Sequence, residues 1–416
     1  MTVRSLAAAD AGINTMQTMI DTIGNNIANA NTDGYKSTVA QFSDVLTQTI
    51  NASSSSAPGL ASTNPSVTGS GDQLAGITTN FSEGAISQTG VASNAAIEGN
   101  GFFVLQRAGQ TIYTRNGDFQ LDVNGTLETT DGAEVMGWAP GVPTSGPLTP
   151  VSVPSGLTIA PKETANFTIG GNLQAGSSQP ETTTYTLFDS QGNSIPLTLT
   201  FTPGASNNWT LQPSVNGTNV GAPISLAFDS SGQLTSINGA APGTAGPTSI
   251  ALSFAGITGF QLANTTINLL VPEPGGTNAV TQYAQGQTVN VVSQDGSASG
   301  SMESYSIGQN GVINATFSNG ATQALGTIAL ASFTNPGGLA DIGNLEYQVT
   351  AASGNAQLGA PGTGNGGTLM GGALEQSNVD LASQLTDLIE AQTDYQADTK
   401  VVSTTQTVLQ ALVTNA

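Results

Sequence analysis

The sequence predicts a mainly β protein framed by long α-helices at its two ends. Three observations predict it. Apolar residues recur at alternating steps of three and four near both termini, Asn-Gly and Asp-Gly dipeptides punctuate short alternating runs between them, and two apolar-poor stretches separate these textures. At 416 residues the chain exceeds one comfortable core, so two or three domains are expected.

The first helix is expected within a terminal segment 1–30. Leu6, Ala9, Ile13, Met16, Ile20, Ile23 and Ile27 form one continuous seam of the coiled-coil kind, on a rod of roughly 37 Å. The stretch "NNIANANTDGYK" then stops it. Asn and Asp favour turns, and Gly34 can adopt the left-handed conformation that caps a helix C-terminus, so these residues read as a joint between rod and body. Tyr35 and Phe42 begin extended packing.

Residues 31–73 read as a first linker, because "NASSSSAPGLASTNPSVTGSGDQ" has too little apolar area to fold alone. Segments 74–145 and 281–353 then read as one antiparallel β domain built from both chain halves. "TRNGDFQLDVNGTLETTDG" and "IGQNGVINATFSNG" are its clearest hairpins, since Asn-Gly supplies the positive φ angles of tight turns. A compositional shift at "APGVPTSGPLTP" opens an inserted outer β domain, 146–280, of barrel or sandwich type, in which "LAFDSSGQLTSI" is a further hairpin. Residues 354–373, Gly-rich and polar, read as a second linker.

The terminal segment 374–416 carries the second helix. Leu381, Leu385, Leu388, Gln392, Tyr395, Thr399, Val402, Gln406, Leu409 and Val413 continue the three-four pattern over roughly 54 Å, and Ser377 supplies a capping box with Asp380. The two terminal helices are expected to pair as a coiled-coil-like rod.

The composition narrows the function. Charged residues make up 8% of the chain, where about 25% is usual, and 27 acids against 6 bases give a net charge of -21. Nucleic acid and anionic membranes need clustered Lys and Arg, so neither is an expected partner. Histidine and cysteine are absent, which removes thiolate chemistry, most zinc sites and disulfides. No run approaches the roughly 18 apolar residues that span a bilayer, so no membrane insertion is expected. Asp10 interrupts the apolar N-terminus, and a cleaved signal peptide is not expected.

Chemical sites are scarce. Gln120, Asp122, Asn124, Gly125, Leu127, Thr129 and Asp131 have the spacing of a calcium loop, but Gln stands first where Asp is needed and Asp last where Glu is usual. Period-two flanks make this a hairpin turning at Asn124-Gly125. "GTGNGG" at 362–367 lacks the GK[ST] of a phosphate loop. Acid-base chemistry would fall to carboxylates alone, and nothing in the sequence pairs two of them. No catalytic residue, cofactor or metal is expected.

The helices remain. Positions seven apart in the second one read Asp380, Asp387, Asp394, then Val401 and Val408, with Leu412 widening the apolar surface. Such a helix wants neighbours on more than one side. The first helix offers a single seam plus Met19, so the further neighbours are expected to be copies of the same chain. Head-to-tail contacts of this sort make open helical polymers.

"NNIANANTDGYKS", "FSEGAISQTG" and "IEGNGFFVL" resemble the N-terminal signature of bacterial flagellar axial proteins. "FSNGATQALGTIALASFTNPGGL" and "LEQSNVDLASQLTDLIEAQTDYQADTK" narrow the likeness to the hook proteins. The matches cover 1–140 and 281–416.

The resemblance implies a structural subunit of the hook, a curved flexible tube that acts as a universal joint passing torque from rod to filament. Its partners would be itself, the rod, the hook cap, the hook-filament junction proteins and the flagellar type III export apparatus, and its place the extracellular hook. Another axial protein, distal rod or hook-associated, is the nearest alternative, and a secreted β-rich carbohydrate-active enzyme the more distant one. Carried over by residue, the packing surface would hold Leu6, Ile13, Met16, Ile20, Ile23, Asn26, Ile27, Ala28, Asn29, Asn31 and Gly34. From the other end it would take Ser377, Asn378, Val379, Leu381, Leu385, Leu388, Gln392, Tyr395, Lys400, Val402 and Leu409. Thr393 and Asp398 depart from the arginine and asparagine frequent in relatives.

Overall fold

A computed structural model describes residues 2–45, 48–51, 66–69, 71–243, 246–364 and 366–414. Most strands lie between two helices, α1 (Thr2–Ala28) and α2 (Leu381–Thr414). The chain divides into two compact units. One comprises Met1–Pro154, Tyr305–Asn314 and Ala324–Ala416; the other comprises Ser155–Ser304 and Ala315–Gln323.

In the first unit both chain halves build one sheet. Its strands run in the order Thr322–Ile328, Glu134–Trp138, Phe102–Arg107, Gln110–Thr114, Glu346–Gln348, Ala340–Gly343. Phe102, Val104, Tyr113, Trp138, Ala329 and Tyr347 form a core cluster with Phe81 and Phe333 packed against it. The rings meet edge to face, as in Phe81 on Phe102 at 5.3 Å and Tyr113 on Phe333 at 4.9 Å, the arrangement that opposed ring quadrupoles favour. Phe119–Leu121 and Leu127–Thr129 form the hairpin expected at Asn124-Gly125. Asp122 Oδ1 accepts the amides of Asn124 and Thr126 there, so this carboxylate oxygen serves the turn.

The second unit holds two sheets. In one, Glu181–Phe188, Ser194–Pro203, Asn208–Val215, Ile224–Phe228 and Leu234–Ile237 follow one another as neighbours. In the other, Asn166–Gln174 lies parallel to Thr266–Val271 and Val280–Tyr283 and antiparallel to Asn290–Gln294. A single apolar cluster draws Leu197, Phe201 and Trp209 from the first sheet and Phe167, Leu269 and Val280 from the second.

This unit begins and ends later than 146–280. Residues 149–153 stay with the first unit, where Val151 accepts from Leu127 and donates to Val135. Residues beyond 280 belong to the second, because Asn166–Gln174 finds two partner strands there. Turn composition marked where the texture changed; pairing across more than 100 residues of sequence decided where the unit closes.

Neither linker is structureless where described. Thr38–Asp44 pairs with Asp72–Thr79. Gln357–Gly359 and Thr368–Gly371 pair with Leu330–Ser332 and Ala95–Glu98. Their glycines serve close backbone approach: a Cβ at Gly367 would sit 2.2 Å from the Glu98 carbonyl oxygen. Residues 52–65 of the first linker lie outside the described residues.

Two helix-end expectations change. Asp380, not Ser377, caps α2: its Oδ1 accepts from the Ala382 amide at 2.9 Å and from Ser383 at 3.3 Å. Asn378 is held against the body, which keeps the helix from starting earlier. Gly34 has the left-handed φ of +75°, but lies well beyond Ala28 and donates its amide to the Glu375 carbonyl at 2.7 Å. It joins the two chain ends instead of closing α1.

Candidate assembly surface at the joined chain ends

Helices α1 and α2 pack together more extensively than any other pair of elements among the described residues. They run antiparallel: Asn26 bonds Gln384 near one end, and Gly12 lies under Asp398 further along. Of the α1 seam, Ala9 and Ile23 are buried and Leu6, Ile13, Met16, Ile20 and Ile27 half-buried.

On α2 the inward face is rotated from the one expected. Leu388, Tyr395, Val402 and Leu409 stay at least half-covered, but they alternate with Gln384, Ala391, Asp398 and Thr405, of which Ala391 and Thr405 are buried. Leu385, Gln392, Thr399 and Gln406 are exposed. The cause is size. Ala391 and Thr405 are small enough to be buried there, and Gly12 of α1 leaves room for the Asp398 carboxylate, whose Oδ2 would lie 2.3 Å from an added Cβ.

The rotation leaves an apolar stripe uncovered in the subunit. Leu381, Leu385 and Ile389 follow at steps of four, and Leu385 and Ile389 are 50% and 66% exposed. Val401 and Val408 are exposed on a different flank, the row of Asp380, Asp387 and Asp394, and Val413 is more open still. The side chain of Leu412 lies outside the described residues. Exposed apolar residues in a row on one helix mark a contact surface.

Asparagines hold the joint. Asn26, buried in α1, donates from Nδ2 to the Thr38 carbonyl and to Gln384 Oε1, both at 2.8 Å, while Oδ1 accepts from the Thr38 amide at 2.9 Å and the Tyr35 hydroxyl at 3.0 Å. One side chain thereby ties α1, the turn after it and α2. Asn378 mirrors it from the other chain end: Oδ1 accepts from the Ser37 amide at 2.8 Å and Nδ2 donates to the Asn80 and Ser82 carbonyls. Asn29, just past α1, bonds back to Asn25 in its last turn; Val379 is half-buried and Asn31 exposed.

Beneath them lies an ion network that sequence reasoning missed. Lys36 Nζ bonds Glu375 Oε1 at 2.5 Å and the Ser82 carbonyl at 2.7 Å, and Arg115 Nε bonds Glu375 Oε2 at 3.1 Å. Both Lys36 and Glu375 side chains are fully buried. Burial drives the Lys36 ammonium below its ordinary range, and the bond to Glu375 pulls it part of the way back. With only 6 bases in the chain, each was a candidate for a structural task. The signal was scarcity.

Asp398 brings charge into the helix seam. Burial raises its carboxyl above the usual range, and Asp72 and Asp394 raise it further. Asp72 is itself held by the Thr15 hydroxyl at 3.1 Å.

No reactive constellation accompanies these features. Among the described residues no three His, Cys, Asp or Glu are grouped to hold a metal, and no helix is long and apolar enough to cross a membrane. The cavity at the end of α1, about 720 Å³, is lined by amide, hydroxyl and carboxylate side chains such as Asn25, Asn29, Thr114 and Asp118.

Comparison with known proteins decides the family. The chain is 35% identical to the flagellar hook protein FlgE of Borreliella burgdorferi over 99% of both chains. It belongs to the flagellar hook protein family. The hook protein of Escherichia coli (strain K12) is 33% identical over 98% of this chain and 99% of its own. Family models match along the hook subunit: a flagella basal body rod protein model at 6–36, a flagellar hook protein FlgE/F/G D1 domain at 96–174, a flagellar basal body protein FlaE D2 domain at 163–297, and a flagellar basal body rod FlgEFG protein C-terminal model at 370–415. The fold is also that of Helicobacter pylori flagellar hook protein FlgE2, with a TM-score of 0.50 at 16% identity, covering 70% of this chain and all of that one.

Proposed function

We propose that the chain is a hook subunit that polymerises through its terminal helices into a curved, flexible tube, and that the tube is a universal joint carrying torque from rod to filament. One observation carries this reading: α2 has its inward face occupied by α1 while Leu381, Leu385, Ile389, Val401 and Val408 remain uncovered in the subunit. Burying those residues, which lie on two flanks of α2, against other copies would contribute on the order of 25 cal/mol for each Å² of apolar surface removed from water. The two ends act as a coiled-coil-like rod lining the tube. The first-unit sheet forms its wall, and the second unit is the outer domain, a closed two-sheet sandwich.

The partners that follow are sister copies, the rod, the hook cap and the hook-filament junction proteins, reached by passage through the flagellar type III export apparatus to an extracellular hook. The function is structural, without catalysis. Relatives named as hook proteins along nearly the whole chain favour the hook over a distal rod or hook-associated role. Electron microscopy of the purified, concentrated chain tests the reading: short curved tubes are expected, straight stubs would favour the rod, and dispersed particles would refute polymerisation. A chain truncated after Leu381 should stay folded and form no tubes.

A further inference from the structure

Two exposed faces of the helix pair carry opposite charge. On α2 the row Gln384, Ala391, Asp398 and Thr405 turns toward α1. Ile389 and Lys400 each stand two residues from that row, on the opposite side of the helix, and both are exposed. Eleven residues, about three turns, separate them, so they share one flank with Leu385 close by. Lys400 is the single base in α2.

On α1 the exposed residues Asp10, Asn14, Gln17, Asp21, Gly24 and Ala28 recur at steps of three and four, opposite the buried Gly12, Thr15 and Ile23. Asp10 and Asp21 are the charges of that face, and they too lie eleven residues apart. The register that sets Asn26 beside Gln384 and Gly12 beside Asp398 brings Asp10 level with Lys400 and Asp21 level with Ile389, on the far side of the pair.

The other bases are engaged elsewhere or belong to another unit. Lys36 and Arg115 share Glu375, and Arg107 holds Asp131 and Glu346. Lys162 lies in the second unit, in the field of Asp295, and the side chain of Arg4 is outside the described residues. Lys400, Asp10 and Asp21 make no ion pair among the described residues.

We propose that the Lys400 flank of α2 docks on the outward face of α1 in a second copy, where Lys400 pairs with Asp10 or Asp21. The inference rests on the polymer reading above and adds a specific contact to it. Charge complementarity selects the occupant: in a chain with 27 acids and 6 bases, most faces of two copies repel, and this pair of faces attracts. The two faces are different and point away from each other, so the contact repeats head to tail without closing on itself. A second helix pair laid alongside in the same direction at equal height meets Lys400 with Asp10; displaced by three turns, about 16 Å, it meets Lys400 with Asp21.

Charge reversal and exchange test this. The critical concentration for polymerisation is measured by sedimentation for full-length chains, with circular dichroism of the dissolved subunits as the check on folding; the exposed positions should leave it unchanged. Lys400→Glu turns an attraction into a repulsion and should raise the critical concentration about tenfold at low salt, an effect that added salt shrinks. Lys400→Met, which keeps the apolar stem, should raise it about threefold. Adding Asp10→Lys or Asp21→Lys to Lys400→Glu should restore the wild-type value. Equal critical concentrations for wild type and Lys400→Glu would overturn the proposal, as would a rise that neither α1 exchange relieves. Relief by Asp387→Lys alone would overturn it too, by setting α2 against α2. A wild type that forms no polymer would instead fail the polymer reading, and this contact with it.

Discussion

Replacing Glu375 by Gln should be far more damaging than replacing Lys36 by Met, although the two side chains form one ion pair. Glu375→Gln keeps the shape but leaves Lys36 and Arg115 buried with no compensating charge. Breaking a buried pair from one side costs about 3–5 kcal/mol. Lys36→Met leaves Glu375 still bonded to Arg115 Nε and the Gly84 amide, and removes an ammonium that was expensive to bury. Its cost should be about 1–2 kcal/mol, the loss of bonds to Glu375 and the Ser82 carbonyl. Because the chain has two units, one global midpoint would blur the effect. Hydrogen exchange at the amides of Ala373–Glu375, which pair with Ile86–Gln88, reads it locally. Opening free energies lowered equally by the two substitutions, or lowered more by Lys36→Met, would refute the charge accounting.

Other outcomes follow from the same geometry. Gly84→Ala should destabilise the joint by about 1–3 kcal/mol, since a Cβ there would lie 2.0 Å from the Gln376 carbonyl oxygen; an unchanged urea midpoint for the first unit would contradict this. Asp398→Asn should stabilise the helix pair at neutral pH. The folded carboxyl is raised, so its ionisation costs stability above the folded pKa, and the cost disappears as pH falls below the unfolded value; the benefit of the amide should vanish in parallel. A pH-independent benefit, measured by exchange within α2, would assign it to packing instead. Leu385→Asp with Ile389→Asp should leave the circular dichroism of the subunit unchanged, because both positions are exposed, and abolish sedimentable polymer.

The helices and hairpins were legible because their signals are local. Periodicity found both helices to within a few residues, and Asp229 to Gly232, Gly308 to Gly311 and Phe317 to Gly320 turn where their Asn, Asp and Gly residues require. What sequence could not supply was anything fixed by distant pairing. The face α2 turns inward depends on residues from both chain ends, Gly12 against Asp398 and the small, buried Ala391, so choosing the larger apolar residues gave a seam rotated toward Leu385 and Gln392. The linkers were misread for a related reason: glycine permits flexibility and close approach alike, and only the partner strand tells which. Asn26 and Asn378 stood out by motif, but their work, Asn26 bonding the Gln384 side chain and Asn378 the Ser37 main chain, appears only once both ends are together.

The chain lacks cysteine, so a single Ile389→Cys variant gives an unambiguous reporter at the most exposed large apolar residue of the α2 stripe before its final turn. Its reaction rate with a maleimide, measured in the dissolved subunit and in assembled tubes, asks directly whether sister copies cover that stripe. Rapid labelling of the subunit and strong protection in the tube is the predicted result; equal rates in both would contradict it.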